Sequence, residues 1–133
     1  MERSNGLAAY RLEQAEQCLQ SAKVLIAAED YKGATNRSYY CVFHAMKSVM
    51  ALENTDFKSH SAVISHFRKE YVKTKIFDTK MSDIIGYLFM IRNESDYDDF
   101  YVLSKEKAAI QIDSTEYFLD EVRKYLDKRN IAE

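Results

Sequence analysis

The chain has 133 residues, of which 47% are hydrophobic and 30% are charged. This composition is typical of one globular domain and excludes a disordered chain. Nineteen basic and 21 acidic side chains leave a formal net charge of −2, so attraction to nucleic acid would need a local patch. The two cysteines, Cys18 and Cys41, are too few for a disulfide scaffold or a cysteine-built zinc site, and we expect no metal or cofactor.

Proline is absent and only three residues are glycine, which favours long uninterrupted helices over a loop-rich β fold. We therefore predict an all-α fold, a four-to-five helix up-and-down bundle, in a single domain over 1–133. The first residues lack the apolar core of a signal peptide, and no uncharged apolar run approaches the roughly 18 residues of a membrane span. We expect a cytoplasmic protein without membrane contact.

Five segments carry apolar residues at the three- and four-residue steps of one helix face. They predict helices at about 7–28, 31–52, 59–71, 79–95 and 104–127. The second segment is apolar on most sides, which predicts the central helix of the bundle. Candidate N-caps precede four of the helices: Asp30, Ser59 or Ser61, Thr79 and Ser104.

The densest polar stretch begins at Arg92, directly after the apolar run 87–91, and extends to Tyr101. Arg92 therefore lies at the rim of a buried helix face. One interpretation is local: the guanidinium stabilises the helix C-terminus and pairs with Asp96 one turn later. The other is functional, because a planar guanidinium suits phosphate oxygens.

Two stretches of the chain resemble HEPN-domain proteins. The first comprises 30–34 and the Arg-Ser-Tyr-Tyr-Cys-Val-Phe-His-Ala run of 37–45, and the second comprises 91–97 with the helix start at 104–106. The resemblance implies a helical bundle that is usually a homodimer and is often encoded beside a small nucleotidyltransferase. Many such relatives are metal-independent RNases of toxin–antitoxin or defence systems.

In the RNase relatives, an arginine and a polar residue precede a histidine by four to six residues, and two copies form one cleft. Arg92 and Asn93 fit the beginning of this motif and become the candidate catalytic residues. The positions where histidine is expected hold Tyr97, Asp98 and Asp99 instead, and none replaces an imidazole near neutral pH. We therefore expect a homodimeric interaction module paired with a nucleotidyltransferase-type protein. The alternatives are an endoribonuclease that uses Arg92 at a dimer-interface cleft and a nucleotide-binding regulator.

A second polar group lies on the otherwise apolar second helix, where Arg37, Tyr40 and His44 share one face at three- and four-residue steps. It is either a hydrogen-bonded network that fixes the helix register or a wall of the cleft that Arg92 lines. The latter interpretation defines a candidate phosphate-binding set: Arg92, Arg37, Tyr40, His44, Asp96 and Tyr97. The other two histidines, His60 and His66, are six residues apart and do not share a helix face.

Three further patterns have competing interpretations. A basic cluster of Arg68, Lys69, Lys73 and Lys75 is a solvated face, an RNA contact or a contact with a partner subunit. Alternating acids at 94, 96 and 98 resemble oxygen ligands but lack the spacing of a calcium loop, which favours a solvated turn. Nucleotidylation of Tyr97 or Tyr101, which the resemblance raises, lacks the histidine that anchors that motif.

Overall fold

The computed structural model describes the backbone of residues 2–97 and 102–129 and the side chains of residues 5–95 and 102–129. The fold is an all-α helical bundle, as predicted. The described residues form five α-helices and one π-helical turn. These elements are α1 (Glu2–Ala27), α2 (Tyr31–Ala51), α3 (His60–Phe67), the π-helical turn (Arg68–Val72), α4 (Thr79–Tyr97) and α5 (Lys105–Asp127).

Side-chain caps start three of the helices as expected. Asp30 accepts from the Gly33 backbone N–H at 2.9 Å, and Ser59 and Ser104 accept the equivalent bonds at 3.1 Å in α3 and α5. The prediction that Thr79 caps α4 is wrong. Thr79 is already the first helical residue, and Asp78 Oδ1 accepts from the Lys80 N–H at 2.9 Å, because the carboxylate one residue earlier reaches the unpaired amide.

Helix α2 is the central helix, since it contacts α1, α3, α4 and α5. Small side chains such as Ala45 and Ser48 let α1 approach α2 closely, and Ser48 Oγ donates to the Ala8 carbonyl at 2.7 Å. On the side facing α5, Thr35 Oγ1 donates to Gln111 Oε1 at 2.6 Å in a fully buried contact. These two bonds satisfy polar groups that would otherwise be costly to bury.

The third predicted helix is interrupted. Helix α3 ends at Phe67, and the chain continues in a π-helical turn in which the Lys73 N–H donates to the Arg68 carbonyl at 2.8 Å. The wider turn keeps Tyr71 and Val72 buried against the core. Such turns occur frequently at functional sites. Within the described residues, no helix combines the length and the apolar character needed to cross a membrane.

Candidate functional site

The site begins with Arg92, which α4 places beside two tyrosines of α2. The Arg92 guanidinium carbon lies 5.1 Å from the centre of the Tyr39 ring and 5.4 Å from that of Tyr40. Arg92 Nη2 also donates to the Tyr40 hydroxyl at 3.3 Å. Arg92 is half-buried, so these contacts fix a cation at the edge of the core and leave part of it accessible.

A second cation, Arg37, lies against the same tyrosine. Its guanidinium carbon is 5.2 Å from the centre of the Tyr40 ring. Its N–H groups donate to Asn36 Oδ1, and Nη1 lies 3.8 Å from Cys18 Sγ. No carboxylate of the described residues forms a salt bridge with Arg37. Two guanidinium groups on one tyrosine create a positive potential suited to an anion.

The fold also brings a histidine to this place. His60, the first residue of α3, lies 2.8 Å from the Tyr39 hydroxyl through Nδ1, and its ring centre is 4.2 Å from that of Phe43. The Tyr40 ring meets it edge-on at 5.7 Å. Tyr39 therefore contacts both Arg92 and His60. We call Arg37, Tyr39, Tyr40, His60 and Arg92 the Arg92 cluster.

The connection between α2 and α3 explains how His60 reaches Tyr39. Ala51 lies twelve residues after Tyr39, about 18 Å along the helix axis at 1.5 Å per residue. The chain must fold back over that distance within residues 52–59. Asp56 holds it there through salt bridges to Lys47 of α2 at 3.0 Å and to Arg11 of α1 at 3.5 Å.

The electrostatics at this bend favour a charged carboxylate at residue 56. Burial acts to raise the pKa of Asp56, but hydrogen bonds from Lys47 and from the Phe57 N–H, and the charges of Lys47 and Arg11, lower it overall. Asp56 is therefore ionised well below neutral pH, and the bend keeps its salt bridges there.

The same electrostatics favour a neutral imidazole and a protonated phenol in the Arg92 cluster. Burial, followed by the positive charges of Arg92 and Lys47, lowers the pKa of His60 below its ordinary value. Burial raises the pKa of Tyr39 to about 12, against the opposing effect of Arg92. At neutral pH His60 is thus uncharged and able to accept a proton.

Of the candidate set, the structure brings together Arg92, Arg37 and Tyr40. His44 is half-buried with its ring centre 6.2 Å from that of Tyr40, and its Nδ1 has no hydrogen-bond partner among the described residues. Burial, then the charges of Arg11, Lys47 and Arg37, lowers the pKa of His44. A network that fixes the register of α2 through His44 is therefore incomplete.

The remaining candidates lie at the end of α4. Asn93 is half-buried in α4, and its side chain makes no hydrogen bond to another described residue. The backbone of Asp96 and Tyr97 belongs to α4, but their side chains lie outside the described residues, so the predicted Arg92–Asp96 pair is not described. Asp98, Asp99 and Tyr101, with the acidic turn and the tyrosine modification, also lie outside them.

Sequence spacing did not point to His60 or Tyr39. His60 is 32 residues before Arg92, and only the folded-back connection brings the two regions together. One signal was available: the Ser59 cap places His60 in the first turn of α3, where the side chain lies at the end of the helix rather than on its buried face.

Comparison with known proteins agrees with this fold. The model of the HEPN domain matches residues 8–125. The chain belongs to the HEPN family. A Methanocaldococcus jannaschii protein named "Putative toxin MJ0142" is 32% identical over 120 residues, covering 90% of this chain and 82% of that protein. A "UPF0332 protein" of Thermotoga maritima is 29% identical over 118 residues, covering 89% of each chain.

A second M. jannaschii relative of this HEPN chain, "Putative toxin MJ0605", is 30% identical over 115 residues and covers 86% of this chain and 85% of its own. The family resemblance seen in the sequence is thereby confirmed. The domain match over residues 8–125 covers every residue of the Arg92 cluster.

Proposed function

We propose that this HEPN protein is a toxin-type endoribonuclease whose proton carrier is His60. One observation carries the proposal: the Tyr39 hydroxyl contacts His60 at 2.8 Å while the Tyr39 ring contacts Arg92 at 5.1 Å. The absence of a histidine after Arg92 favoured an interaction module over a nuclease. An imidazole supplied by α3 removes that objection, because the chemistry needs the group near the phosphate and not at a given spacing.

In the proposed reaction Arg92 and Arg37 bind the scissile phosphate and stabilise the negative charge that develops on its oxygens. His60 Nε2 accepts the proton of the ribose 2′-hydroxyl while its Nδ1–H donates to the Tyr39 oxygen. The 2′-oxygen forms a bond to phosphorus, the bond to the 5′-oxygen breaks, and that oxygen takes up a proton from the imidazolium or from water. The products are a 2′,3′-cyclic phosphate and a 5′-hydroxyl end.

We also propose that the active form is a homodimer, as the resemblance implies. Exposed apolar side chains on α4, before α5 and within α5 support it: Met90 is 50% exposed, Val102 is 78% exposed and Ile110 is 57% exposed. Light scattering at micromolar concentration tests this directly. A dimer mass supports the proposal, and a monomer mass contradicts it.

A nucleotidyltransferase-type partner completes the proposal, and it rests on the family resemblance alone. Expression of this chain by itself should arrest growth if it is the toxin of such a pair, and co-expression of the neighbouring gene should restore growth. Arrest by an Arg92→Ala variant as strong as that by the native chain would contradict a toxin role for the cluster.

The nuclease test is incubation of purified protein with single-stranded RNA in a chelating buffer, followed by analysis of the product ends. We expect cleavage that leaves 2′,3′-cyclic phosphates and that disappears in the Arg92→Ala and His60→Gln variants. His66→Gln is the matched control, because His66 lies in the same helix and its nearest ring is Phe57 at 5.1 Å. Equal cleavage by all four proteins would show a contaminant and overturn the proposal.

A further inference from the structure

We infer that a groove between α3, the π-helical turn and α4 binds the part of an RNA strand that flanks the scissile phosphate. This inference rests on the proposed function and extends it to a second binding surface. The groove has a volume of about 730 Å³, within the range of ligand sites. We call it the basic groove, because Arg68, Lys69 and Lys73 line it and Asp83 is its one lining carboxylate among the described residues.

Arg68 is the main indication that the groove takes an anion. It is half-buried, and its Nη2 donates to the Ser82 carbonyl at 3.0 Å. Its Nε is buried without a hydrogen-bond partner, and no carboxylate of the described residues forms a salt bridge with it. A partly buried cation held only by a neutral carbonyl gains from a bound anion.

The backbone opposite Arg68 is shaped to admit its guanidinium. Gly86 of α4 lines the groove, and a Cβ at that position would lie 3.0 Å from Arg68 Nη2. That distance is tighter than ordinary van der Waals contact. Glycine in the interior of a helix is less favourable than alanine, so Gly86 lowers the stability of α4 while it leaves room for the guanidinium.

The floor of the groove suits bases, and its end adjoins the Arg92 cluster. Ile64 and Val72 form the buried apolar floor, and half-buried Phe89 offers a ring on which a base can lie. Phe89 packs against Tyr39 with ring centres 6.0 Å apart, and Ser61, which also lines the groove, directly follows His60. A strand whose phosphate lies at Arg92 can therefore continue over Phe89 towards Lys69 and Lys73.

An acidic peptide is the other occupant that the charge would allow. The continuity with the Arg92 cluster favours RNA, because the proposed substrate already enters at that end. The serine hydroxyls at positions 61, 65 and 82 also match the many hydrogen-bonding groups of ribose and bases.

The test is fluorescence anisotropy with the full chain and a labelled 2′-O-methyl RNA strand of about ten nucleotides, which cannot be cleaved. Lys69→Glu and Lys73→Glu should each weaken binding about threefold to tenfold and should flatten its salt dependence. Lys32→Glu is the control, since Lys32 is exposed in the first turn of α2, does not line the groove, and its reversal changes the net charge equally. It should change affinity less than about twofold. Melting temperatures verify that each variant is folded.

Cleavage of a dinucleotide and of a long RNA by the same variants separates this inference from the proposed function. If the groove variants lose cleavage of the long RNA but still cleave the dinucleotide, the result supports both the groove and the nuclease. Weakened binding by the groove variants without any RNA cleavage supports the groove and overturns the nuclease. If RNA is cleaved but the groove variants bind and cleave it as well as Lys32→Glu does, the groove proposal is overturned. Displacement of the RNA by poly-glutamate at a concentration equal to or lower than that of unlabelled RNA also overturns it.

Discussion

The face formed by α1 and α5 pairs Arg123 and Lys23 with carboxylates, whereas two half-buried arginines of the face formed by α2, α3 and α4 lack such partners among the described residues. On the first, Arg123 bonds to Glu16 at 3.0 Å and to Asp120 at 2.8 Å, and Lys23 pairs with Glu116 at 2.7 Å. On the second, neither Arg37 nor Arg68 has a salt-bridge partner among the described residues. Cations paired with carboxylates stabilise helix packing, whereas half-buried cations without carboxylates are available to an anionic ligand.

Removing the guanidinium at Arg92 should have the largest effect. We expect Arg92→Ala to lower the rate of RNA cleavage by about a hundredfold or more. Loss of one preorganised donor to a developing negative charge typically lowers a rate constant by that factor. Arg92→Lys should recover little, since an ammonium lacks the planar pair of donors.

Arg123→Ala is the matched substitution on the first face. It should leave cleavage unchanged and lower the free energy of unfolding by at most about 1 kcal/mol, as expected for partly exposed salt bridges. Single-turnover rates and urea unfolding of both variants are the measurements. A similar loss of cleavage in Arg92→Ala and Arg123→Ala would show that the two faces do not differ in function.

His60→Gln should follow, with a loss of cleavage of about a hundredfold or more. In the native chain the rate should rise with pH and level off, with an apparent pKa below the ordinary histidine value of about 6.5, because burial and Arg92 disfavour the imidazolium. The pH–rate profile of the variant should lose this step. A step that persists in His60→Gln would assign the proton transfer to another group.

Asp56→Asn should have an intermediate effect, because Asp56 acts only by positioning His60. Loss of its charge weakens the bridges to Lys47 and Arg11 that hold the α2–α3 connection. We expect cleavage to fall about tenfold and the apparent pKa of the rate profile to move up towards the ordinary value as His60 becomes more solvated. An unchanged profile with reduced stability would make Asp56 merely structural.

The smallest effect concerns stability. The folded-state pKa of His44 and of His60 is lowered, so below about pH 6.5 the unfolded chain binds more protons than the folded one. The contribution of these two histidines to the free energy of unfolding is complete above that pH and decreases as the pH falls below it. Asp56 adds a loss only below about pH 4. The midpoint of urea unfolding should therefore be lower at about pH 5.5 than at about pH 7.5. The difference between the two midpoints should be smaller in His44→Gln. Equal urea midpoints at the two pH values would contradict the lowered pKa values of His44 and His60.

The helices were predictable because each has a periodic apolar face. The stripe of α1 from Ala8 to Ala22 and that of α5 from Ala108 to Leu126 are buried as the spacing predicts. Thr115, the one polar member of the α5 stripe, is fully buried because its hydroxyl donates to the Gln111 carbonyl at 2.7 Å within the same helix. Local hydrogen bonding of this kind leaves no trace in a hydrophobic pattern.

The candidate site was predictable only where one helix carries it. Arg37 and Tyr40 share a face of α2 by spacing, and Arg92 marks the rim of a buried face of α4. His60 depends on a connection that folds back along α2, which is fixed by the bridge between Asp56 and Lys47 and not by any local propensity. Arg68 becomes distinctive only because the π-helical turn and Gly86 place it in a groove.

In the proposed site, the fold supplies Arg92 with the imidazole of His60. Proton-detected NMR titration of His60, in the free protein and with the 2′-O-methyl strand, tests it most directly. We expect the pKa of His60 to lie below the ordinary value in the free protein and to rise when the phosphate binds, and we expect Arg92→Ala to abolish the rise. An ordinary pKa that does not respond to the strand would contradict it.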